Sequence, residues 1–275
     1  MYIIKADGKK QEFSPEKVRR GCLRAGASVD LANEITRKIT RQVRPGMTTR
    51  EIWKLIFRYL GKEAPGVASR FSLREALFRL GPTGFYFEQL VSRIFKVQGY
   101  WTQTNQIFSG ACVDHEVDVL AKKENEILMI ECKFHNQLGI YTDTKDVLYI
   151  WACWLDLKEG AKTRKCPEFT RPVLVSNTKF SEHAKKYATC QNFSLIGWAY
   201  PEEKHLQYFI EQNKLYPITV LRRLEKYSQE KLLRHGIITC DDLIKADPRQ
   251  IQREIGLDQR KISMLQSEAR QLLFS

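Results

Sequence analysis

The spacing of hydrophobic residues along this chain changes between two and three-or-four, and each change marks an element. Residues 2–5 read as a short strand, Asp7-Gly8 as a hairpin turn, and residues 11–13 as the return strand. Ser14 is an N-cap with Pro15 at the first helical position. Val18, Cys22 and Ala25 then line one helical face at spacings of four and three. A second helix is expected over 31–43, ended by Pro45-Gly46. Thr48 or Thr49 caps a third, whose apolar stripe is Ile52, Leu55, Ile56 and Tyr59. Residues 70–80 form a fourth helical segment.

Gly81-Pro82-Thr83-Gly84 is the clearest linker signal. Beyond it, residues 85–97 read as an amphipathic helix and Gly99-Tyr100-Trp101 opens a strand. Two apolar strands, 117–121 and 127–133, are joined by the polar turn 122–126. Residues 146–157 are helical, 172–176 a strand, 181–190 a helix capped by Ser181, and 194–198 another strand. Strands that first pair locally and then alternate with helices indicate α/β layers. From residue 213 the chain is helical again. Gly236-Ile237 and Gly256-Leu257, twenty residues apart, divide it into two short helical hairpins. Three domains are expected: 1–80, 81–212 and 213–275.

Composition adds two facts to this outline. The formal net charge is +13, and it is segregated: +10 over residues 1–80, −1 over 81–212 and +4 over 213–275. A polyanionic partner, nucleic acid or nucleotide, fits the basic flanks. Seven scattered cysteines without a CxxC pair argue against a disulfide framework or zinc ribbon and fit reduced thiols. The start of the chain has no secretory pattern, and the longest apolar run, 148–155, is far below the roughly 20 residues of a membrane span. A cytoplasmic protein with no membrane partner is expected.

The sharpest chemistry lies in the middle domain. Acid-x-lysine triplets occur five times, but only Glu131-Cys132-Lys133 ends an apolar strand. If residue 121 pairs with 128, the constant index sum of an antiparallel hairpin sets Asp118 opposite Glu131, while Glu131 and Lys133 share a face. Two carboxylates and an ammonium then converge at one end of the hairpin. Charges at the end of a buried strand are costly unless paired or bound to metal. The set suits a hard divalent cation, Mg²⁺ or Mn²⁺, that activates water for phosphodiester cleavage. A structural salt bridge between Lys133 and the carboxylates is the alternative.

These residues carry a resemblance. Phe85 to Glu88, Gly99-Tyr100, His115-Glu116-Val117-Asp118 and Ile130-Glu131-Cys132-Lys133 resemble the restriction-endonuclease-like superfamily, and its Mrr-type domain in particular. The resemblance implies an α/β nuclease domain with a mixed sheet flanked by helices. Its catalytic residues would be Asp118, Glu131, Lys133 and Glu88, with Asp118 and Glu131 as metal ligands and DNA as substrate. His115 and Glu116 are open between site support and turn structure, and His135 and Gln137 between DNA contact and loop structure.

The first domain resembles the ATP-cone module through Lys5, Asp7-Gly8, Phe13, Glu16-Lys17-Val18 and Gly46-Met47-Thr48-Thr49. The resemblance implies a mainly helical nucleotide-binding domain, with Lys5, Lys9, Lys17 and Thr49 as contacts to ATP or dATP. Ala6 stands where the family usually has Arg. The last domain is similar to helix-hairpin-helix modules of the SAM-like class, whose turn amides approach phosphates; Asp258 departs from that pattern.

The expectation is a metal-dependent DNA endonuclease regulated by a nucleotide, acting in restriction, defence or DNA repair. Cutting both strands needs two sites, so a homo-oligomer is expected. The alternatives are a non-catalytic, nucleotide-responsive DNA-binding regulator and a junction resolvase of the same superfamily.

Overall fold

The computed structural model describes residues 1–137 and 139–274. It has two compact units, one formed by residues 1–76 with 217–275 and the other by residues 77–216. The first unit is therefore assembled from both ends of the chain.

In the first unit, β1 (Tyr2–Ile4) and β2 (Lys10–Glu12) pair antiparallel with Ile3 opposite Gln11. Ser14 caps α1 (Pro15–Arg24) through the Lys17 amide. The second helix, α2 (Val29–Gln42), starts earlier than expected because Ser28 takes the Leu31 amide. Thr48, rather than Thr49, caps α3 (Thr49–Glu63); its hydroxyl and the Glu51 carboxylate form a reciprocal capping box. Where one helix over 70–80 is expected, the chain makes two. Pro65 opens α4 (Pro65–Phe71), and α5 (Leu73–Phe78) follows after Ser72, whose hydroxyl bonds back to the Ser69 carbonyl. Ile35, Ile39, Ile56 and Leu60 lie in the core of these helices.

In the second unit, α6 (Phe85–Val97) precedes β3 (Trp101–Ser109), β4 (Asp114–Lys123) and β5 (Glu126–Lys133). After these come β6 (Tyr141–Thr142), α7 (Thr144–Lys162), β7 (Arg171–Ser176), β8 (Lys179–Phe180), α8 (Glu182–Cys190), β9 (Ser194–Ile196) and α9 (Leu206–Gln212). The main sheet has the order β3-β4-β5-β7-β9. Its first three strands are antiparallel, while β7 and β9 run parallel to β5. This is the expected mixed sheet flanked by helices. Ala121 pairs with Leu128, as the sequence register requires, and the reversal is tighter than expected, with only Glu124-Asn125 between the strands. Met129, Leu174 and Leu195 of the sheet pack with Val147, Ile150, Trp154 and Leu157 of α7. The short pair β6-β8 has no signal in the sequence reading.

The chain then returns to the first unit with α10 (Lys226–Arg234), α11 (Cys240–Lys245), α12 (Pro248–Ile255) and α13 (Gln259–Phe274). Thr219 donates its hydroxyl to the Ala76 carbonyl at 2.8 Å. Arg70 of α4 donates to the carbonyls of Ala25 (2.8 Å) and Leu272 (3.4 Å), tying the ends of α1 and α13 together. Among the described residues no helix is long and apolar enough to cross a membrane.

One contact in the second unit fixes α7 against the loop after β3. A Cβ on Gly160 would lie 2.7 Å from the backbone carbon of Gly110 and 2.9 Å from the Ser109 oxygen, so backbone passes where a side chain would stand. We predict that Gly160→Ala destabilises the protein by about 1–3 kcal/mol, the usual range for overpacking. Thermal unfolding would show a fall of several degrees; an unchanged midpoint would mean that this contact gives way freely.

Candidate active site

Asp118 sits where β4 loses both neighbours. Along β3–β4 the pairing runs from Trp101↔Lys122 to Ser109↔Asp114 but skips Asn105 and Asp118, and Asn105 has a left-handed backbone with φ 53°. Along β4–β5 the pairing ends at Val119↔Ile130, one step short of Asp118 and Glu131. The Cys132 amide, freed of a ladder partner on that side, donates to Asp118 Oδ2 at 2.7 Å. On its other side β5 stays paired with β7 as far as Lys133↔Ser176. The sheet thus opens at Asp118 and Glu131 while the backbone under them is held.

The electrostatics follow from that opening. Burial, chiefly, and then Glu88 and Glu116 push the Asp118 carboxyl up to about 7; its bond from Cys132 works the other way. Burial and then Asp118 and Glu88 push Glu131 up to about 8, against a smaller opposing pull from Lys133. No hydrogen bond or ion pair reaches the Glu131 carboxylate from the described residues. Glu88, from the first turn of α6, accepts from Asn105 Nδ2 at 3.0 Å, and burial raises its carboxyl as well. Burial likewise keeps the Cys132 thiol protonated.

Lys133 departs from the expected arrangement. Its ammonium is 2.8 Å from Asp146 Oδ1, at the start of α7, and forms no ion pair with Asp118 or Glu131. The structural salt bridge weighed from the sequence is therefore absent in that form. Asp146 also closes a capping box, accepting the Asp143 amide at 3.0 Å while Asp143 accepts from Lys145. Asp146 and Asn105 escaped the sequence reading. The Asp143-x-x-Asp146 spacing ahead of an apolar helix was a legible capping signal; nothing in the sequence marked Asn105.

Of the open residues, the two histidines find local partners. His115 Nε2 lies 2.8 Å from Asp156 of α7, which also accepts the Cys112 and Val113 amides and is held well below the usual carboxylate range by these contacts. The His135 backbone exchanges two hydrogen bonds with the Asn177 side chain. Its ring lies 3.1 Å from Thr142 Oγ1, within a buried cluster with Ser176 and Thr178. Glu116 is exposed.

Asp118 and Glu131 offer hard oxygen donors, the donor chemistry of a Mg²⁺ or Mn²⁺ site that keeps several waters. Among the described residues no group of three or more His, Cys, Asp or Glu side chains is gathered closely enough to hold an ion. The fit is thus to a two-carboxylate site completed by water and substrate oxygens.

In the first unit, the Ile4 amide donates to Met47, and Ile4 forms a parallel bridge with Thr48, which brings the Lys5 end of β1 beside Thr49 at the head of α3. Lys5 is 3.3 Å from Asp7, which also accepts the Lys9 amide. Lys17 stands in the first turn of α1. The two helical-hairpin turns are occupied by acids: Asp242 accepts the Ile238 and Thr239 amides, and Asp258 accepts those of Arg260 and Lys261. Those four amides, just after the two turns, are therefore already taken.

Comparison with known proteins matches residues 1–76 to the ATP cone domain, 82–198 to a restriction endonuclease domain and 216–273 to the AF1548-like C-terminal domain. An uncharacterized protein of Archaeoglobus fulgidus is 40% identical over 183 residues, covering 66% of this chain and 99% of that protein. The crystal structure of AF1548, a protein of unknown function, is 39% identical with a TM-score of 0.60, over 70% of this chain and 98% of that one. The MspJI restriction endonuclease, solved with a 27-mer oligonucleotide, is 16% identical with a TM-score of 0.31, over 49% of this chain and 30% of that one.

The raised carboxyls make a stability prediction. A buried acid whose folded pKa exceeds its unfolded value, about 4, binds more protons in the native state, so stability falls as pH rises through that window. For Asp118 and Glu131 the window runs from about 4 to about 7 and 8. With chelator present, we predict that Glu131→Gln melts higher than wild type at pH 8, by roughly 2–4 °C per kcal/mol of relieved repulsion, and that the gain vanishes near pH 4. Added Mn²⁺ should raise the wild-type midpoint and not that of the variant. A variant that melts lower at every pH would contradict the assignment of strain to this charge.

Proposed function

Because this chain belongs to the family of the Archaeoglobus fulgidus protein and AF1548, and carries an ATP-cone domain and a restriction-endonuclease domain, we propose that it is a metal-dependent DNA endonuclease regulated by a bound nucleotide. The observation that carries the reading is the pair Asp118 and Glu131, brought together where the β4–β5 ladder ends, with both carboxyls raised by burial and by neighbouring acids. Carboxylates drawn away from water in this way cost stability unless they are paired or bound.

In this reading Asp118 and Glu131 hold Mg²⁺ or Mn²⁺, which when bound supplies an activated water and charge neutralisation at the departing oxygen. The Cys132 amide keeps Asp118 turned toward the site, and the sheet keeps Glu131 from swinging away. Lys133 brings positive charge to the scissile phosphate as negative charge develops there. Glu88, fixed by Asn105, adds a third carboxylate at the mouth and orients water. The cone residues Lys5, Lys9, Lys17 and Thr49 bind the phosphates of ATP or dATP, since cations and helix starts favour anions. DNA is the substrate, the protein works in the cytoplasm, and cutting both strands takes two copies.

The test is plasmid cleavage with Mg²⁺ or Mn²⁺, with and without ATP and dATP, comparing wild type with Glu131→Ala and Lys133→Ala. We expect metal-dependent nicking or linearisation by wild type, a loss of about 100-fold or more in each variant, and a rate that changes with nucleotide. Equal cleavage by all three proteins would remove these residues from the reaction. Salt-sensitive DNA binding with no cleavage under any condition would favour the non-catalytic regulator.

A further inference from the structure

We propose that Asp146 is a positioning residue for Lys133. It anchors the lysine's ammonium to the start of α7 so that the charge is held ready beside Asp118 and Glu131. The inference rests on the nuclease reading above.

Lys133 is the last residue of β5, and its backbone is still paired with Ser176 of β7. The root of the side chain is therefore fixed, but a lysine stem has four rotatable bonds and a freely turning head. Left alone, that head would sample solvent or fall onto the neighbouring carboxylates and compete for the oxygens a cation needs. Asp146 Oδ1, 2.8 Å away, prevents both. Asp146 is itself immobilised, because its other oxygen takes the Asp143 amide in the capping box, and the next residue, Val147, is buried in the core with Ile150. The tether thus runs from the sheet through Lys133 and Asp146 into a capped helix bound to the same sheet. It spans thirteen residues of sequence, unlike the local i,i+3 and i,i+4 pairs that hold Lys38, Lys162, Lys185 and Lys245.

The donor inventory agrees. An ammonium has three N–H donors and Asp146 engages one, which leaves two for a phosphate oxygen or the attacking water. The Lys133 side chain keeps 45% of its surface exposed, against 20% for Asp146. The acid is the seated partner and the lysine the accessible one, as a positioning arrangement requires.

Asp146→Asn separates the two tasks of this side chain. Asparagine keeps an acceptor for the Asp143 amide but loses the charge that holds Lys133. We expect kcat for DNA cleavage to fall at least tenfold, with KM for DNA, the melting midpoint and the Mn²⁺-induced rise in that midpoint close to wild type. In a Lys133→Gln background the same change should alter the residual rate less than twofold. Nitrogen-15 NMR of the Lys133 ammonium reads the tether directly: restricted in wild type, freely rotating in Asp146→Asn. A wild-type kcat in Asp146→Asn, a tenfold loss that persists in the Lys133→Gln background, or equal ammonium mobility in the two proteins would each overturn the proposal. A wild type that cuts no DNA with either metal overturns the nuclease reading and this inference together. A wild type that cuts, beside an unaffected Asp146→Asn, overturns this inference alone.

Discussion

Asp118 takes the Cys132 amide at 2.7 Å in the gap where β4 has parted from β3 and β5, and much of the second unit serves to keep that gap in place. Two ladder positions are given up there, and two carboxyls are held above their ordinary range by burial and by neighbouring acids. Such a point survives only if its surroundings are over-determined. Here β5 is gripped along its far side by β7, α7 is capped by Asp143 and Asp146, and the loop after β3 is pinned by Asp156. The buried hydroxyls of Thr142, Ser176 and Thr178 tie the segment beyond β5 to the end of β7. Stability is collected away from the site and expended at one edge of the sheet.

The hairpin was legible because an antiparallel register has only one free integer. Once the apolar runs fix the turn, the partner of every residue follows, and Asp118 and Glu131 are opposed without knowledge of any other element. The mixed sheet was legible for a similar reason: local pairing followed by strand–helix alternation admits few layer arrangements. The ion-pair partner of Lys133 was not legible because it lies in another element. Periodicity places it on a face, but only the packing of α7 decides which acid it meets. The split of residues 65–78 into two helices went unread although Pro65 marks the start of the first.

The terminal turns teach a different lesson. Glycines Gly236 and Gly256 do adopt left-handed backbones there, as turns of this kind require. Downstream of the two glycines, Asp242 and Asp258 take the nearby amides of Thr239 and Arg260. The last helix meets α4 through Arg70, and the segment before α10 meets α5 through Thr219.

That last arrangement has a consequence for how the molecule is born. Residues 77–216 form a unit complete in themselves, whereas the other unit needs residues from both ends. On the ribosome, the sheet with its acidic edge is fully synthesised while the body that includes residues 1–76 still lacks the partner helices of α4. At roughly 5–20 residues per second, several seconds separate the two events. The order of synthesis therefore delivers the middle unit first and the completed terminal unit last, so each new molecule passes through an interval in which the one exists without the other.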